Sequence, residues 1–277
     1  MSTNVRQLFD LEGKTALVTG GSRGLGLQIA EALGEAGARV FLTSRKAEDL
    51  EESVAQLKSR NIRALWLAAD LSQPSEIVRV AQDAIARLGN VDILVNNAGA
   101  TWGAAAEDHP LEAWDKVMNL NVRSIFLMSQ AIGKHSMIPR RQGKIINVAS
   151  IAGLAGNSAD MAMVAYNTSK AAVVNFTRTL AGEWGKYNIN VNALAPGMFP
   201  SKMTKGTIAR IGEKELAGHA PLLRIGAESL AGHAPLLRIG DDDDLKGATL
   251  LFASQAGKHI TGQVLPIDGG VSAIIAA

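Results

Sequence analysis

Short apolar runs alternate with amphipathic stretches along most of the chain. Strand-like runs are predicted at 14–19, 39–43, 63–68, 91–95, 144–148, 189–194 and 263–267, and helical periodicity fills most of the intervals between them. Strands that alternate with helices are typical of a parallel sheet covered on both faces. The pattern therefore predicts one α/β domain over residues 1–277, with three layers and a seven-stranded parallel sheet.

Composition narrows the class of protein without naming an activity. A chain of 277 residues with 47% hydrophobic content can bury the core of a single domain. The formal net charge of +2 comes without a basic tract, so we expect no nucleic-acid partner. No apolar run approaches the roughly 20 residues that span a bilayer, and no signal-peptide core opens the chain. We expect a cytoplasmic protein without a membrane partner.

Cysteine is absent, and the histidines are scattered without ligand spacing, so no metal site is predicted.

A glycine-rich turn joins the first predicted strand to the first long helix. The turn has the spacing G-x-x-x-G-x-G, and Leu25, Ile29 and Leu33 continue it at helical spacing. Glycines at such a turn let the backbone approach a pyrophosphate, whose charge is met by the amides at the helix N-terminus. The strand, turn and helix together predict a Rossmann-like dinucleotide site formed by Gly20, Ser22, Arg23, Gly24, Leu25 and Gly26.

Tyr166, Lys170 and Ser150 form a candidate proton-transfer set. Tyr166 and Lys170 are four residues apart in a predicted helix, which places both on one face, and Ser150 ends the strand-like run before them. Lowering the pKa of a tyrosine to near neutrality takes roughly three units, or about 4 kcal/mol. A cation about 5 Å away supplies roughly 3 kcal/mol at an effective dielectric constant of about 20. We therefore expect Lys170 to lower the pKa of Tyr166, with a positively charged cofactor ring covering the rest.

The end of the second strand predicts the preferred nicotinamide cofactor. An acidic residue there would bind the ribose hydroxyls of NAD and repel the extra phosphate of NADP. The chain instead has Ser44 and Arg45, and Arg23 lies in the glycine turn. Two arginines can bind a 2′-phosphate through charge-assisted hydrogen bonds, so we predict a preference for NADP(H). The alternative is that Arg45 and Lys46 only solvate the start of a helix.

Taken together, these motifs resemble the short-chain dehydrogenase/reductase family over nearly the whole chain. Further matches follow the third, fourth and sixth strands and occur near the C-terminus: Asp70-Leu71, Asn96-Asn97-Ala98-Gly99, Asn121, Pro196-Gly197, Thr261-Gly262-Gln263 and Asp268-Gly269-Gly270. The resemblance implies an NAD(P)-dependent oxidoreductase that interconverts a ketone and a secondary alcohol.

The resemblance also implies a role for each matching residue. Ser150 would hold the substrate oxygen, Tyr166 would exchange its proton, and Asn121 would anchor a water that relays protons from Lys170. Lys170 would also bind the nicotinamide ribose, and Tyr166 is likewise implied to contact the cofactor. Cofactor contacts are further implied for Asp70 and Leu71 at the adenine, for Asn97, Ala98 and Gly99 at the adenosine ribose, and for Pro196, Gly197 and Ser201, which stands where relatives commonly carry threonine.

Residues 198–240 contain a tandem duplication. The eleven residues 216–226 recur unchanged as 230–240. Two copies are too few for a repeat fold, so we interpret the region as a mobile substrate lid in which the second copy holds the ordinary position. The second copy should lead into a helix that runs from about Asp241 to Ala253. We predict that deletion of fourteen residues leaves folding intact.

Substrate identity is predicted from the lid. Met198 and Phe199 provide an apolar lining, and the stretch from Pro196 to Thr204 is similar to 3-oxoacyl reductases of the rhamnolipid-synthesis type. We therefore expect a 3-oxoacyl thioester carried by acyl carrier protein or coenzyme A. Similarity elsewhere to gluconate 5-dehydrogenases leaves a sugar acid or polyol as the alternative, and a catalytically silent NADP-binding sensor or scaffold as an alternative of another class.

Relatives pair the helices over about 111–137 and around Tyr166 across subunits, so we expect a homotetramer.

Overall fold

The computed structural model describes residues 3–156, 161–200, 204 and 234–273. Within these residues a seven-stranded sheet forms in the order β3-β2-β1-β4-β5-β6-β7, and every neighbouring pair is parallel. This confirms the predicted sheet. The strands are β1 Thr15–Thr19, β2 Arg39–Ser44, β3 Ala64–Ala68, β4 Ile93–Asn96, β5 Gly143–Val148, β6 Ile189–Pro196 and β7 Val264–Ile267.

Helices connect the strands, as the periodicity predicts. Several have the expected start signals: the helix Ala47–Ser59 carries Glu48 and Asp49 in its first turn, where the helix dipole favours negative charge, and the helix Pro74–Leu88 begins with proline. The α-helices are α1 Val5–Leu8, α2 Gly24–Glu35, α3 Ala47–Ser59, α4 Pro74–Leu88, α5 Leu111–Met118, α6 Ser124–Ile132, α7 Ile138–Arg140, α8 Val164–Trp184 and α9 Lys246–Ala253.

The sheet separates two hydrophobic cores. Neighbouring residues of β1 point to opposite faces: Ala16 and Val18 join the core that contains residues of α2, α3 and α9, whereas Leu17 joins the core formed with α4, α6 and α8. All five residues of β1 are buried. Burying each large aliphatic side chain contributes about 1.5 to 3 kcal/mol, so the central strands contribute strongly to the stability of the fold.

The long helix predicted over 111–137 extends to Arg140 and contains two π-helical turns. They lie at Asn119–Arg123, between α5 and α6, and at Gly133–Met137, between α6 and α7. At the second turn, a side chain on Gly133 would collide with the ring of Trp184 in α8. A π-helical turn holds only one residue more than an α-helical turn. Such a small change does not alter the hydrophobic periodicity enough to be recognised in the sequence.

The predicted helix over 241–253 begins later, at Lys246. Aspartate side chains before it bond to the backbone: Asp241 accepts from the amide of Asp243 at 3.0 Å, and Asp244 accepts from the amide of Asp241 at 2.8 Å. Such bonds compete with helical hydrogen bonds and favour turns. The prediction of the helix start was therefore wrong by about one turn.

Parallel strands bring the candidate site residues to one edge. The loops after β1, β2, β3, β4, β5 and β6 all leave the carboxyl edge of the sheet, where ligands of open α/β sheets bind. Strand order reverses between β1 and β4, which places the glycine turn at the switch point. Among the described helices, none is both long enough and apolar enough to cross a membrane.

Candidate active site

The glycine turn after β1 adopts a conformation that favours glycine. Gly20 and Gly24 have φ angles of 65° and 54°, in the left-handed region. At Gly26, in the first turn of α2, a side chain would collide with the carbonyl of Gly20 and the amide of Asn97. The turn therefore leaves its backbone bare at the start of a twelve-residue helix, which is the cradle that a pyrophosphate needs.

Asn97 and Thr19 hold the glycine turn against the loop after β4. The amide of Asn97 donates to the carbonyls of Thr19 at 2.9 Å and Gly20 at 3.1 Å. In return, the Thr19 hydroxyl accepts from the backbone amides of Asn97 and Ala98, both at 3.0 Å. The side-chain amide of Asn97 thus positions the turn, and the loop through Ala98 and Gly99 is placed beside it.

Ser53 is a positioning residue that the sequence analysis missed. Its hydroxyl lies on α3 and hydrogen-bonds the carbonyl of Ser22 at 2.6 Å. Ser22 itself is buried. Nothing in the sequence marks Ser53, because a serine inside a helix is ordinarily a solvated residue; only the packing of α3 on the turn reveals the contact.

Two exposed arginines follow the first two strands: Arg23 lies in the turn after β1, and Arg45 directly follows β2. Arg23 forms a salt bridge of 3.1 Å with Asp49 of α3, and its side chain is 51% exposed. Arg45 makes no ion pair with any described residue. Nearby, the hydroxyl of Ser44 is buried without a hydrogen-bond partner among the described residues. This edge of the cleft thus offers two guanidinium groups and an unused hydroxyl.

Asp70 and Leu71, in the loop after β3, have side chains in different surroundings. One carboxylate oxygen of Asp70 accepts from the amide of Ser72 at 3.0 Å, which forms a tight turn before α4. Leu71 is only 4% exposed and belongs to the core cluster on the α4 face. Its side chain therefore faces the core, and its backbone is the part that remains near the cleft.

Ser150, at the end of β5, is held close to α8. It begins a short 3-10 turn, Ile151–Gly153, and its hydroxyl accepts from the amide of Ala152 at 3.2 Å. A side chain on Gly153 would meet the backbone of Lys170 at 2.5 Å, so the turn packs directly on α8. This close approach brings the hydroxyl of Ser150 into hydrogen-bonding contact with Tyr166.

Tyr166 and Lys170 lie together as predicted, but the pKa of Tyr166 shifts upward and not downward. The Lys170 ammonium lies 5.7 Å from the centre of the Tyr166 ring and donates to the carbonyl of Val148 at 2.7 Å. Burial raises the pKa of Tyr166, and the hydrogen bond with Ser150 lowers it by less. Burial also lowers the pKa of Lys170 to about 8. Desolvation therefore dominates, so the net shift of the Tyr166 pKa is upward and the phenol is protonated at neutral pH, whereas Lys170 alone had been expected to cover most of a downward shift.

Asn121 lies in the first π-helical turn and is fully buried. Its carbonyl accepts from the amide of Ala100 at 2.7 Å, and its amide donates to the carbonyl of Ala100 and to the hydroxyl of Ser169, both at 2.9 Å. A side chain on Gly99 would meet Asn121 at 3.3 Å and the Lys170 ammonium at 3.8 Å. The structure therefore brings Asn121 close to the other candidate catalytic residues.

A buried polar chain beneath the site was also missed. Asn96 of β4 donates to Asn147 of β5 at 2.9 Å and to Ser129 of α6 at 3.1 Å, and Asn147 donates to Thr177 of α8 at 2.9 Å. These bonds attach α6 and α8 to the sheet in one register. Polar residues inside buried strand runs were the available signal, since such groups demand partners.

The remaining predicted residues follow β6. Pro196 ends the strand and is buried, and Gly197 donates to the carbonyl of Ile267 at 3.0 Å. Ser201 lies outside the described residues, as does most of the predicted lid over 198–240. Within the described part of the chain, no group of three His, Asp or Glu residues is placed to hold a metal ion.

The glycine cradle, the Ser150, Tyr166 and Lys170 cluster and the sheet order agree with the family comparison. The family model described as short chain dehydrogenase matches residues 14–211. The chain belongs to the short-chain dehydrogenase/reductase family. As a member of this family, it is an oxidoreductase that acts on CH–OH groups.

Two curated relatives and one solved structure resemble the chain over almost its full length. The rhamnolipids biosynthesis 3-oxoacyl-[acyl-carrier-protein] reductase of Pseudomonas aeruginosa is 39% identical, with 95% of this chain and 97% of the relative covered. The gluconate 5-dehydrogenase of Gluconobacter oxydans is 34% identical, with 96% and 97% covered. The structure of a gluconate 5-dehydrogenase from Burkholderia cenocepacia, in complex with NADP and tartrate, has a TM-score of 0.86 at 30% identity and covers 98% of this chain and 100% of its own.

Proposed function

We propose that the protein is an NADPH-dependent reductase that converts a ketone to a secondary alcohol, with a 3-oxoacyl thioester of acyl carrier protein or coenzyme A as its substrate. The observation that carries the proposal is the contact between Ser150 and the protonated phenol of Tyr166 beside Lys170. A phenol that stays protonated is a general acid, which is the role that carbonyl reduction requires.

The proposed mechanism assigns one task to each group. Ser150 donates a hydrogen bond to the ketone oxygen and orients it. Tyr166 gives its proton to that oxygen as negative charge develops there. A nicotinamide bound beside this cluster would supply the hydride that reaches the carbonyl carbon.

Lys170 and Asn121 support the proton transfer. With a pKa of about 8, Lys170 can both stabilise the phenolate by its charge and exchange a proton near neutral pH. Its bond to the carbonyl of Val148 fixes its position. Asn121 shapes the backbone at Ala100, next to the loop that approaches the lysine, and we propose that it anchors the proton path to solvent.

The proposed cofactor preference rests on charge. Gly20, Gly24 and Gly26 form a bare cradle suited to the pyrophosphate. Arg23 and Arg45 are exposed beside it, and the end of β2 has no acidic residue that would repel a 2′-phosphate. The Burkholderia relative was solved with NADP, which supports the same preference. Michaelis constants for NADPH and NADH would test it, and a lower value for NADH would overturn it.

The substrate class is proposed from the similarity to the Pseudomonas reductase. The similarity to gluconate 5-dehydrogenases makes a sugar-acid ketone the second candidate. A screen with NADPH of acetoacetyl and longer 3-oxoacyl thioesters, keto-sugar acids and cyclic ketones would separate them. We expect the highest kcat/KM for a thioester, and a higher value for a keto-sugar acid would favour the second candidate.

Substitution of Tyr166 by phenylalanine separates an enzyme from a silent NADP-binding sensor or scaffold. Loss of the general acid should lower turnover at least 100-fold while NADPH binding, followed by fluorescence, stays within twofold. Tyr187→Phe is the matched control, because Tyr187 lies beyond the C-terminus of α8 and should keep its turnover. Equal activity of Tyr166→Phe and the parent would contradict the proposed mechanism.

We also propose a cytoplasmic homotetramer. Apolar side chains are exposed on the long helix and on α8, among them Leu111, Phe126 and Val164, and such surfaces favour burial in an interface. Light scattering of the purified protein would test the assembly, and a monomer would contradict it.

A further inference from the structure

A second cavity opens at the edge of the sheet opposite the active site. It has a volume of about 70 Å³ and is lined by residues at the amino ends of β1, β4, β5 and β6. Lys144, the second residue of β5, contributes its side chain to the wall. The proposed catalytic residues lie at the carboxyl ends of the strands, at the opposite edge of the sheet. This cavity is therefore separate from their cleft.

The amine of Lys144 has a neutral hydrogen-bond partner. It donates to the side-chain carbonyl of Asn190 at 2.7 Å. The amide group of Asn190 donates to the carbonyls of Lys258 at 3.1 Å and Ile260 at 2.9 Å, so the orientation of Asn190 is determined. Lys144 makes no ion pair with any carboxylate in the described part of the chain.

The charged groups that face the cavity do not neutralise Lys144. Asp92 is held by Arg140 at 2.7 Å and accepts from the amide of Thr15 at 3.1 Å. Asp10 accepts from the amide of Glu12 at 2.8 Å. The other charged residues of the wall, Lys14 and Lys258, are cations. Burial among these groups lowers the pKa of Lys144 to about 8.

We propose that Lys144 is a site of covalent acylation by a short-chain acyl thioester. The lone pair of the neutral amine attacks the thioester carbonyl, a C–N bond forms, the C–S bond breaks, and the thiolate leaves. The nitrogen loses one proton to solvent, and an amide results. The volume of the cavity suits an acyl group of two or three carbons. This inference does not depend on which ketone the enzyme reduces.

Reactivity should exceed that of the neighbouring lysines. A pKa near 8 leaves a large fraction of the amine neutral at pH 8, although a weaker base is also a weaker nucleophile, with a Brønsted coefficient of about 0.4 to 0.5 by analogy with thiols. The two effects together leave a net gain of roughly tenfold. Lys14 and Lys258 line the same cavity and are the lysines for comparison; Lys258 is exposed, so a higher rate at Lys144 cannot come from easier access than at Lys258.

The test is to incubate the native protein with acetyl coenzyme A at pH 8 and to measure the occupancy of each lysine by peptide mass spectrometry. We expect Lys144 to be acetylated at least fivefold faster than Lys14 and Lys258. A rate for Lys144 no greater than that of the other two would overturn the proposal.

A variant of the protein tests whether the neutral state of the Lys144 amine is the cause of its reactivity. Gln142→Glu places a carboxylate in the exposed part of the same wall without changing side-chain size. It should slow acetylation of Lys144 several-fold by favouring the ammonium, and leave Lys58, exposed on α3 away from the cavity, unchanged. An unchanged rate at Lys144 in this variant would count against the proposal.

Discussion

The side-chain amide of Asn121 donates a hydrogen bond of 2.9 Å to the hydroxyl of Ser169, which itself donates to the carbonyl of Tyr166 at 2.7 Å. A helix-interior serine thus connects the π-helical turn to the turn of α8 that carries Tyr166. Asn121 and Ser169 are both fully buried, so neither can exchange this bond for one to water.

Ser169→Ala should therefore disturb catalysis without removing a group that contacts the substrate. It leaves a buried donor of Asn121 unpaired, which costs about 1 to 3 kcal/mol of folding free energy. We expect kcat to fall about tenfold while the KM for NADPH stays within twofold, measured by steady-state kinetics and urea denaturation.

Ser169→Thr is the conservative comparison because it keeps the hydroxyl. It should recover most of the lost kcat. If both variants keep the parent kcat, the bond between Asn121 and Ser169 does not position the proposed catalytic residues.

Asp49 should weaken the binding of NADPH. It forms a salt bridge with Arg23 and would also repel a 2′-phosphate bound there. Because the pair is exposed, it contributes less than about 1 kcal/mol. We expect Asp49→Asn to lower the KM for NADPH by about twofold to fivefold and to leave the KM for NADH unchanged.

Glu51→Gln is the matched control for that change. Glu51 is exposed on the same helix, two residues further on, and pairs with no cation among the described residues. It removes the same charge from a different face of α3 and should leave both constants unchanged. Equal effects of the two variants would mean that net charge alone, and not Arg23, is responsible.

The sequence predicted the sheet, the glycine turn and the candidate catalytic cluster because each has a local signal. Buried strands such as β1 appear as continuous apolar runs, and Tyr166 and Lys170 have a spacing that one helix converts into proximity. Tertiary contacts carried no such signal. Ser53 and Ser169 are ordinary helix residues until another element packs on them.

The pKa of Tyr166 could not be predicted from the spacing between Tyr166 and Lys170 alone. The lysine is nearby, as predicted, but the free-energy cost of burying a phenolate depends on every element that covers the ring. Pairwise distance could be predicted from the spacing, whereas desolvation could not.

The second copy of the duplicated segment should be the one that packs on the domain. Its described residues contact the fold: Leu236 donates to the carbonyl of Gly269 at 3.1 Å, and Arg238 binds Asp244 through two hydrogen bonds. The first copy, 216–226, lies outside the described residues. Arg224 and Arg238 occupy equivalent positions in identical sequences.

We expect Arg238→Ala to lower the Tm and Arg224→Ala to leave it unchanged, as measured by differential scanning calorimetry. Deletion of residues 216–229 should also leave the protein folded, because the contacts of the second copy remain. An equal decrease of the Tm in the two arginine variants, or a deletion variant that fails to fold, would show that the first copy also stabilises the fold.

Lys144 should make the stability of the protein depend on pH. Its pKa is about 8 in the folded protein, against an ordinary value of 10.5. Below pH 8 the amine is protonated in both states, so its burial destabilises the fold. Between about pH 8 and 10.5 only the unfolded chain holds the proton, so the free energy of unfolding rises with pH. After allowance for partial exposure, the rise is roughly 1 to 2 kcal/mol.

Lys144→Met removes this titration. Urea denaturation at pH 7 and pH 10 gives the free energy of unfolding of the variant and of the parent. The difference, variant minus parent, should fall by roughly 1 to 2 kcal/mol between the two pH values, because only the parent gains stability. Lys58→Met, at an exposed position on α3, is the control and should follow the parent at both pH values. A constant difference between Lys144→Met and the parent would mean that Lys144 keeps its proton in the folded protein, which would also remove the basis for its reactivity toward acyl thioesters.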